Sequence, residues 1–356
     1  MAERVMMKGN EAIAEGAIRA GCRFFFGYPI TPQNEVPEYM ARRMPEVGGT
    51  FIQAESEVSA INMVYGAAGA GARAMTSSSS PGISLKMEGI SYIAGAELPC
   101  VIVNVARGGP GLGGLNPSQS DYFQATKGGG HGDYRLVVFA PSSVQEILDL
   151  MYEAFVTADK YRNPVMVLAD GLLGQMMEPV VLKDYSDLQI PEKSWASTGL
   201  VPGKTQSIIN SLGIVGEDLE KINVRLQEKY RQIEKNEVRY EEEGVDEAEL
   251  VIVAYGTSAR VAKSAIAKAK AAGYKVGLFR PITLWPFPSS RIAELAEAGK
   301  RFMSVEMSVG QMVEDVKLAV NGKAQVELFG RLNGTIPSVT ETYQAIMKCL
   351  TGKEVA

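Results

Sequence analysis

Short apolar segments alternate with longer segments of helical periodicity through the first half of the chain. The apolar segments are rich in β-branched and aromatic residues, which is typical of buried strands. They lie at residues 24–26, 51–53, 72–76, 100–105, 136–139 and 165–168. This alternation predicts an α/β fold, a doubly wound domain in which helices cover both faces of a parallel sheet. Ligands of such sheets bind at the carboxyl ends of the strands.

The pattern changes after the first half. Residues 183–213 are rich in Pro, Ser and Gly and are predicted to form a connector, and residues 217–243 are crowded with charges. One narrow apolar stripe runs through the charged stretch, at Leu219, Ile222, Leu226, Tyr230 and Ile233. The spacing of three and four residues predicts a helix. We interpret it as packed on the body of its own chain, with a partner-docking helix as the alternative.

A second doubly wound unit is predicted from residue 249 onwards. Strands at 250–255, 275–279, 301–306 and 325–328 alternate with helices such as 257–272 and 339–350. The predicted domains are therefore residues 1–182, a connector with a charged helix at 183–248, and residues 249–356.

Composition excludes several classes of function. The net charge is −5 and no basic patch dominates, so we expect no nucleic-acid partner. No run of roughly 18 apolar residues is present, so we expect no membrane span. The three scattered cysteines suit a cytoplasmic protein and are too few for an iron–sulfur cluster, which needs about four thiolates. With a single histidine, we predict no metal site in this chain.

Two charged residues at predicted strand ends are candidates for chemistry. Arg107 begins a glycine-rich loop, residues 107–114, directly after a buried strand. An arginine there can clamp a carboxylate bidentately, and a surface salt bridge is the alternative. Glu57 heads a helix of small residues. It is either a buried acid–base group or a carboxylate that interacts favourably with the helix dipole.

Several motifs in fixed order resemble the α subunit of the 2-oxoacid:ferredoxin oxidoreductases. In the first half they are Gly27-Tyr28-Pro29-Ile30-Thr31-Pro32, Glu55-Ser56-Glu57, the run from Thr76 to Gly82, and Arg107-Gly108-Gly109-Pro110. In the second half they are Gly256-Thr257-Ser258, Arg280-Pro281 and Val305-Glu306-Met307. The likeness covers nearly the whole chain, and the order of separate motifs makes it specific.

The resemblance implies a fold, a cofactor and site residues. The fold would be a thiamine-diphosphate pyrimidine-binding domain followed by a transketolase C-terminal-like domain. Glu57 matches the catalytic and cofactor-binding glutamate that hydrogen-bonds N1′ of the cofactor's aminopyrimidine, which activates the cofactor for attack on a 2-oxo carbon. Thr31 and Arg107 match substrate-binding positions that contact the substrate carboxylate.

The resemblance also implies that this subunit is active only with partners. The Gly-Asp-Gly stretch that holds Mg²⁺ and the diphosphate is missing, and Ala169-Asp170-Gly171 is the nearest match. A β subunit would then supply the Mg²⁺ and diphosphate site. A γ subunit and a ferredoxin-like subunit carrying the iron–sulfur clusters would complete the assembly. Coenzyme A, a 2-oxo acid and ferredoxin would be the reactants.

The loop at residues 109–124 resembles the branched-chain (2-oxoisovalerate) type of these enzymes. That type oxidatively decarboxylates its substrate to an acyl-CoA and CO₂ and reduces ferredoxin. Leu112, Leu115 and Phe123 would suit an apolar acyl chain, whereas a dicarboxylate needs a second cation. The alternatives are a 2-oxoglutarate enzyme and, from another class, a non-catalytic scaffold subunit.

Overall fold

A computed structural model describes residues 4–183, 188–199, 202–203, 205–332 and 334–353. Its elements up to residue 181 are β1 (Arg4–Lys8), α1 (Gly9–Arg19), β2 (Phe24–Gly27), α2 (Glu35–Glu46), β3 (Thr50–Gln53), α3 (Glu57–Gly69), β4 (Ala74–Ser78), α4 (Ser80–Gly95), β5 (Cys100–Ala106), α5 (Tyr122–Thr126), β6 (Val137–Phe139), α6 (Val144–Tyr161), β7 (Pro164–Asp170), α7 (Gly171–Gln175) and β8 (Met177–Val181).

The later elements are α8 (Gly216–Asn236), β9 (Tyr240–Glu243), β10 (Leu250–Val253), α9 (Gly256–Ala271), β11 (Val276–Pro281), β12 (Thr283–Trp285), α10 (Ser289–Glu297), β13 (Arg301–Glu306), α11 (Met312–Val320), β14 (Val326–Gly330) and α12 (Val339–Thr351). No helix among these is both long enough and apolar enough to cross a membrane.

The first large sheet has the strand order β12-β6-β7-β5-β4-β2-β3. All its neighbouring strands run parallel except β12, which pairs antiparallel with β6. Every residue of β5 and β7 is buried. Continuous apolar runs are what parallel strands covered by helices on both faces require, which is why these segments stand out in the sequence.

The second large sheet has the order β14-β13-β10-β11-β9. Strands β10, β11, β13 and β14 are parallel, and β9 is an antiparallel edge. The predicted fold class of two α/β units built on parallel sheets is thus confirmed. A separate two-stranded sheet joins β1 to β8 near the start of the chain.

The charged helix α8 packs on the body of the chain through its second half. Leu226, Tyr230 and Ile233 are buried there, and the Tyr230 ring meets Trp285 edge-on at 5.9 Å. Leu219, nearer the start, is 41% exposed. Packing on its own body, the interpretation preferred from the sequence, is therefore confirmed for this second half.

The domain limits drawn from the sequence stay a prediction. Two short strands cross them: β9 comes from the predicted connector and joins the second sheet, and β12 comes from the second unit and joins the first sheet. The positions 184–187, 200, 201 and 204 of the predicted connector lie outside the described residues.

Asp170 ties the two units together at the end of β7. Its buried carboxylate accepts hydrogen bonds from the backbone of Leu172 (3.0 Å) and Leu173 (3.1 Å), which caps α7. It also accepts from the Thr257 hydroxyl (2.9 Å) and the Thr257 backbone N–H (3.3 Å), at the start of α9. Burial raises the pKa of Asp170, and these hydrogen bonds oppose the rise.

Gln119 makes a second link between the units. Its amide nitrogen donates to the carbonyl of Tyr255 (2.9 Å). Its amide oxygen accepts from the Ser258 hydroxyl (2.7 Å) and the Met307 N–H (3.0 Å). Each of these polar groups is buried, so the loss of any one hydrogen bond would leave a buried donor or acceptor at the junction without a partner.

Asp170→Asn should destabilise the chain. Both carboxylate oxygens of Asp170 accept hydrogen bonds, and asparagine replaces one of them with an NH₂ group, which cannot accept. We expect a loss of about 2 kcal/mol in the free energy of unfolding, the usual cost of unsatisfied buried donors. Urea unfolding at neutral pH measures it. Asp133→Asn is the control, since Asp133 is exposed. Equal effects of the two substitutions would contradict the assignment of Asp170 to the junction.

Candidate functional site

The loops that carry the candidate residues meet at one edge of the first sheet. Thr31 follows β2, Glu57 follows β3, a run of serines ends β4, and Arg107 follows β5. These four strands are neighbours and run parallel, so their carboxyl ends lie side by side. This is the edge at which ligands bind in sheets of this type.

The start of α4 is fixed to the end of β5 by a buried polar network. The Ser80 backbone N–H donates to Asn104 Oδ1 (3.1 Å), and the Ser80 hydroxyl donates to Asp121 Oδ2 (2.6 Å). Asn104 Nδ2 donates to the same carboxylate oxygen (2.8 Å). Burial raises the pKa of Asp121, and the two hydrogen bonds oppose this rise. The network holds the first turn of α4 in a single position relative to the sheet.

Arg107 attaches to this first turn. Its backbone N–H donates to the Ser80 hydroxyl oxygen (2.9 Å). Its buried guanidinium donates from Nη1 to the Thr31 carbonyl (2.7 Å) and from Nη2 to the Leu112 carbonyl (3.3 Å), and Nε has no partner. No acidic side chain within the described residues forms an ion pair with it. Carbonyl groups alone hold a buried positive charge here, an arrangement that favours an anionic ligand.

Thr31 contacts Arg107 through the backbone carbonyl of Thr31. Its side chain is exposed, and its hydroxyl oxygen accepts a hydrogen bond from Asn34 Nδ2 at 3.4 Å. The structure therefore places two of the three predicted site residues in direct contact.

Glu57 lies at the first position of α3. Ser56 caps the helix by accepting from the Ser59 N–H (3.2 Å). Glu57 itself is 6% exposed, and no described residue donates a hydrogen bond to its carboxylate. Gly82 lies directly against this carboxylate, where an added Cβ would come within 2.7 Å of Oε1. A side chain at this position would force the Ser78 hydroxyl and the Glu57 carboxylate to move, so glycine leaves the carboxylate facing the first turn of α4.

The chemistry of this donor set fits the aminopyrimidine ring of thiamine diphosphate. A buried carboxylate without a protein donor calls for an external N–H or a shared proton. At the end of β4 and in α4, the hydroxyls of Thr76, Ser78 and Ser79 and the ammonium of Lys86 are buried and also lack partners. Glu57 is therefore the residue of this chain that could hold such a ring.

The first turn of α4 connects the two predicted site residues Arg107 and Glu57. In the first turn of α4, Ser80 holds Arg107 and Gly82 adjoins Glu57. Sequence reasoning missed Ser80, Asn104, Asp121 and Lys86. A signal existed for Asn104, since it is the only amide within the buried apolar strand β5, and a buried amide needs partners.

Comparisons with known families agree with this geometry. Residues 15–242 match a family model described as pyruvate flavodoxin/ferredoxin oxidoreductase, thiamine diphosphate-binding. Residues 248–342 match a second model, pyruvate:ferredoxin oxidoreductase core domain II.

Relatives of high similarity are named subunits of oxidoreductases. The chain is 56% identical over 341 residues to ketoisovalerate oxidoreductase subunit VorB of Methanothermobacter thermautotrophicus, which covers 96% of both chains. It is 40% identical to 2-oxoglutarate synthase subunit KorA of Archaeoglobus fulgidus, over 88% of this chain and 91% of the relative.

Solved structures extend the likeness to the fold. The 2-oxoglutarate:ferredoxin oxidoreductase from Magnetococcus marinus, solved with 2-oxoglutarate, coenzyme A and succinyl-CoA bound, superposes with a TM-score of 0.86 at 27% identity. The match covers 98% of this chain and 65% of that one. A split-gene transketolase at 14% identity and a TM-score of 0.62, over 97% of this chain and 98% of its own, shares the fold alone. By its matched residues and its identity to curated relatives, the chain belongs to the thiamine-diphosphate-binding family of pyruvate flavodoxin/ferredoxin oxidoreductases.

Proposed function

We propose that this chain is the catalytic α subunit of a multisubunit 2-oxoacid:ferredoxin oxidoreductase. The assembly converts a branched-chain 2-oxo acid, 2-oxoisovalerate, and coenzyme A into an acyl-CoA and CO₂, and passes the electrons to ferredoxin. The observation that carries the proposal is that Arg107, buried without an ion pair, and Glu57, buried without a donor, both adjoin the first turn of α4. The higher identity to the ketoisovalerate relative, 56% against 40%, supports the substrate class.

Arg107 binds the carboxylate of the substrate, with Thr31 beside it. Two of its N–H groups are occupied by carbonyls and Nε is free of partners. A carboxylate would give the guanidinium a counter-ion of matching planar geometry. The exposed hydroxyl of Thr31 donates to the same anion.

Glu57 binds the cofactor ring and handles its proton. Thiamine diphosphate, when bound, supplies a nucleophilic carbon and an electron sink for decarboxylation of the 2-oxo acid. Glu57 accepts a hydrogen bond from the ring or gives it a proton, since no protein donor competes for its carboxylate. Gly82 contributes by leaving room beside Oε1. The low exposure of Glu57 keeps bulk water away from this proton.

The surroundings of Arg107 favour an apolar acyl chain. The carbonyl that accepts from Nη2 belongs to Leu112, whose side chain is 87% exposed, and Leu115 on the same loop is 61% exposed. Two large apolar side chains beside a carboxylate site suit a branched substrate. A 2-oxoglutarate enzyme needs a second cation for the distal carboxylate.

A scaffold subunit would have no use for this arrangement. Burying Arg107 and Glu57 without an ion pair lowers the stability of the chain, because charged groups lose hydration on burial. A subunit that only binds other proteins has no function that requires this loss of stability, so the catalytic interpretation is preferred.

Other subunits supply what this chain lacks. A β subunit provides Mg²⁺ and the diphosphate site, and a γ subunit and a ferredoxin-like subunit with iron–sulfur clusters complete electron transfer. The three cysteines of the chain and the missing Gly-Asp-Gly stretch support this division. Ferredoxin accepts the electrons at the end.

The substrate class can be tested by ferredoxin reduction in the complete assembly. We expect kcat/KM for 2-oxoisovalerate to exceed that for 2-oxoglutarate by roughly 10²-fold or more, since the apolar side chains of Leu112 and Leu115 offer no counter-charge to a second carboxylate. A preference for 2-oxoglutarate would contradict the branched-chain assignment and favour the alternative enzyme.

Arg107→Lys keeps the charge and loses the planar fork, and Arg107→Met loses both. Removing one member of a buried charged pair costs about 2–5 kcal/mol. We therefore expect Arg107→Met to raise the apparent KM for the 2-oxo acid at least roughly 30-fold, and Arg107→Lys to raise it less. Steady-state kinetics of the assembly measures both.

The control for this prediction is Arg162→Lys. Arg162 ends α6 at the opposite edge of the sheet, where it stacks on Trp195 at 4.3 Å. Its substitution should leave the KM unchanged. An unchanged KM in both Arg107 variants would remove Arg107 from the substrate site.

Glu57→Gln keeps size and most hydrogen-bonding capacity but cannot exchange a proton. Exchange of the C2 proton of bound thiamine diphosphate should slow by roughly 10²–10⁴-fold, the usual contribution of general acid–base catalysis. Cofactor affinity in the assembly should fall only modestly. Quenched-flow NMR of proton–deuterium exchange measures the rate.

Glu55→Gln serves as the matched control, because Glu55 is two residues away and exposed. If Glu55→Gln alone slows exchange, the two acidic residues have been assigned the wrong way round. If neither variant does, the chain does not activate the cofactor and the scaffold becomes the better hypothesis.

A further inference from the structure

Lys86 is a fully buried lysine without a hydrogen-bond partner. Its exposed fraction is 0%, and its ammonium nitrogen contacts no acceptor among the described residues. Lysine is almost never fully buried unless it is paired. Its neighbour Leu85 shows the opposite arrangement, with a side chain that is 55% exposed. At this point α4 turns a cation inward and an apolar side chain outward, which packing alone does not favour.

The position of Lys86 on α4 aims it at the site. It follows Gly82 by four residues, so both lie on the same face of the helix. Side chains in helices lean towards the N-terminus, which brings the lysine stem back towards the first turn. Gly82 itself lies against the Glu57 carboxylate. The lysine and the glutamate therefore share one buried space between α3 and α4.

The two charges interact without a direct ion pair. Burial lowers the pKa of Lys86 to about 8, and the negative charge of Glu57 opposes this fall. Within the described residues, Glu57 is the charged group whose field acts on this ammonium. Glu57 is thus the electrostatic neighbour that the described residues provide for Lys86.

We propose that Lys86 is a positioning residue whose buried ammonium is the counter-charge that the chain provides for the Glu57 carboxylate before the cofactor ring arrives. Two opposite charges that share one buried space attract each other, and this attraction orients the flexible carboxylate. Such a carboxylate can accept a hydrogen bond from a protonated ring nitrogen. The consequence for catalysis rests on the proposed function of Glu57, but the interaction between the two residues does not.

The interaction is reciprocal, so it can be measured on the lysine. If Glu57 stabilises the charged form of Lys86, Lys86 stabilises the charged form of Glu57 by the same free energy. The experiment is an NMR titration of the full chain labelled with ¹³C at the lysine ε-carbon. The Lys86 signal is the one that disappears in Lys86→Met or Lys86→Arg.

We expect Glu57→Gln to lower the pKa of Lys86 by roughly one pH unit or more, since an opposite charge a few ångströms away shifts a pKa by roughly one to three. Glu55→Gln should leave it unchanged. Lys229 is an internal control: burial lowers its pKa as well, but its partner is Glu97 at 3.2 Å. Its signal should not respond to Glu57→Gln. An unchanged Lys86 titration in Glu57→Gln overturns the proposal, as does an equal response of Lys229.

Stability gives an independent readout. The pKa of Lys86 falls from 10.5 towards about 8 on folding, so the folded state binds fewer protons than the unfolded state between those values. The destabilisation from the buried charge is therefore present below about pH 8 and is lost as the pH approaches 10.5. Lys86→Met, which keeps the stem volume, should be more stable than wild type at pH 7, and the difference should narrow by pH 10.

The pH dependence decides between a buried charge and a lysine that serves packing alone. If the stability difference between Lys86→Met and wild type is the same at pH 7 and pH 10, no charged lysine is buried beside Glu57 and the proposal is overturned. Failure of the proposed function is seen separately, as unchanged C2 proton exchange in the loaded Glu57→Gln assembly. The lysine titration needs no cofactor, so the two failures cannot be confused.

Discussion

The candidate site depends on how the first turn of α4 is anchored to the end of β5. Asn104 and Asp121 hold Ser80 by hydrogen bonds of 2.6–3.1 Å, and Ser80 in turn holds the backbone of Arg107. Two residues later Gly82 meets Glu57. A shift of this turn would move both charged groups at once, because a buried polar network with every member satisfied has few alternative arrangements. The spacing between the two charged groups therefore follows from one local anchor.

The charged groups in this space form no direct ion pair with any described residue. Arg107 is held by carbonyls, Glu57 has no described donor, and Lys86 has no acceptor. Two buried charges elsewhere show the contrast: Glu306 accepts five hydrogen bonds around the start of α11, and Arg73 pairs with Asp159 at 2.8 Å. The contrast separates charges that stabilise the fold from charges kept for a ligand, since natural proteins give up stability at sites that bind and react.

Much of the fold could be predicted from the sequence, because parallel strands buried on both faces carry continuous apolar runs. The missed elements lack that pattern. β9 reads Tyr-Glu-Glu-Glu and is an edge strand, held by pairing with β11 and by ion pairs such as Glu241 with Arg280. β12 has three residues, and α2 contains prolines that disguise its stripe of Val36, Met40 and Met44. The spacing of apolar residues identifies buried segments, but it does not show which strand an edge strand pairs with.

The site was predictable only in part, and the reason is visible in α4. Strand ends indicated Glu57 and Arg107, and the family resemblance added Thr31, but the pattern of apolar and polar residues could not have located Lys86. That pattern places Leu85 inside and Lys86 outside, whereas the structure does the reverse. Such an inversion requires a stabilising neighbour, and that neighbour, Glu57, is 29 positions away along the chain. The residues around Lys86 in the sequence do not indicate a partner at that distance along the chain. A buried lysine that contradicts the helix pattern is therefore informative only once the fold has shown which carboxylate it faces.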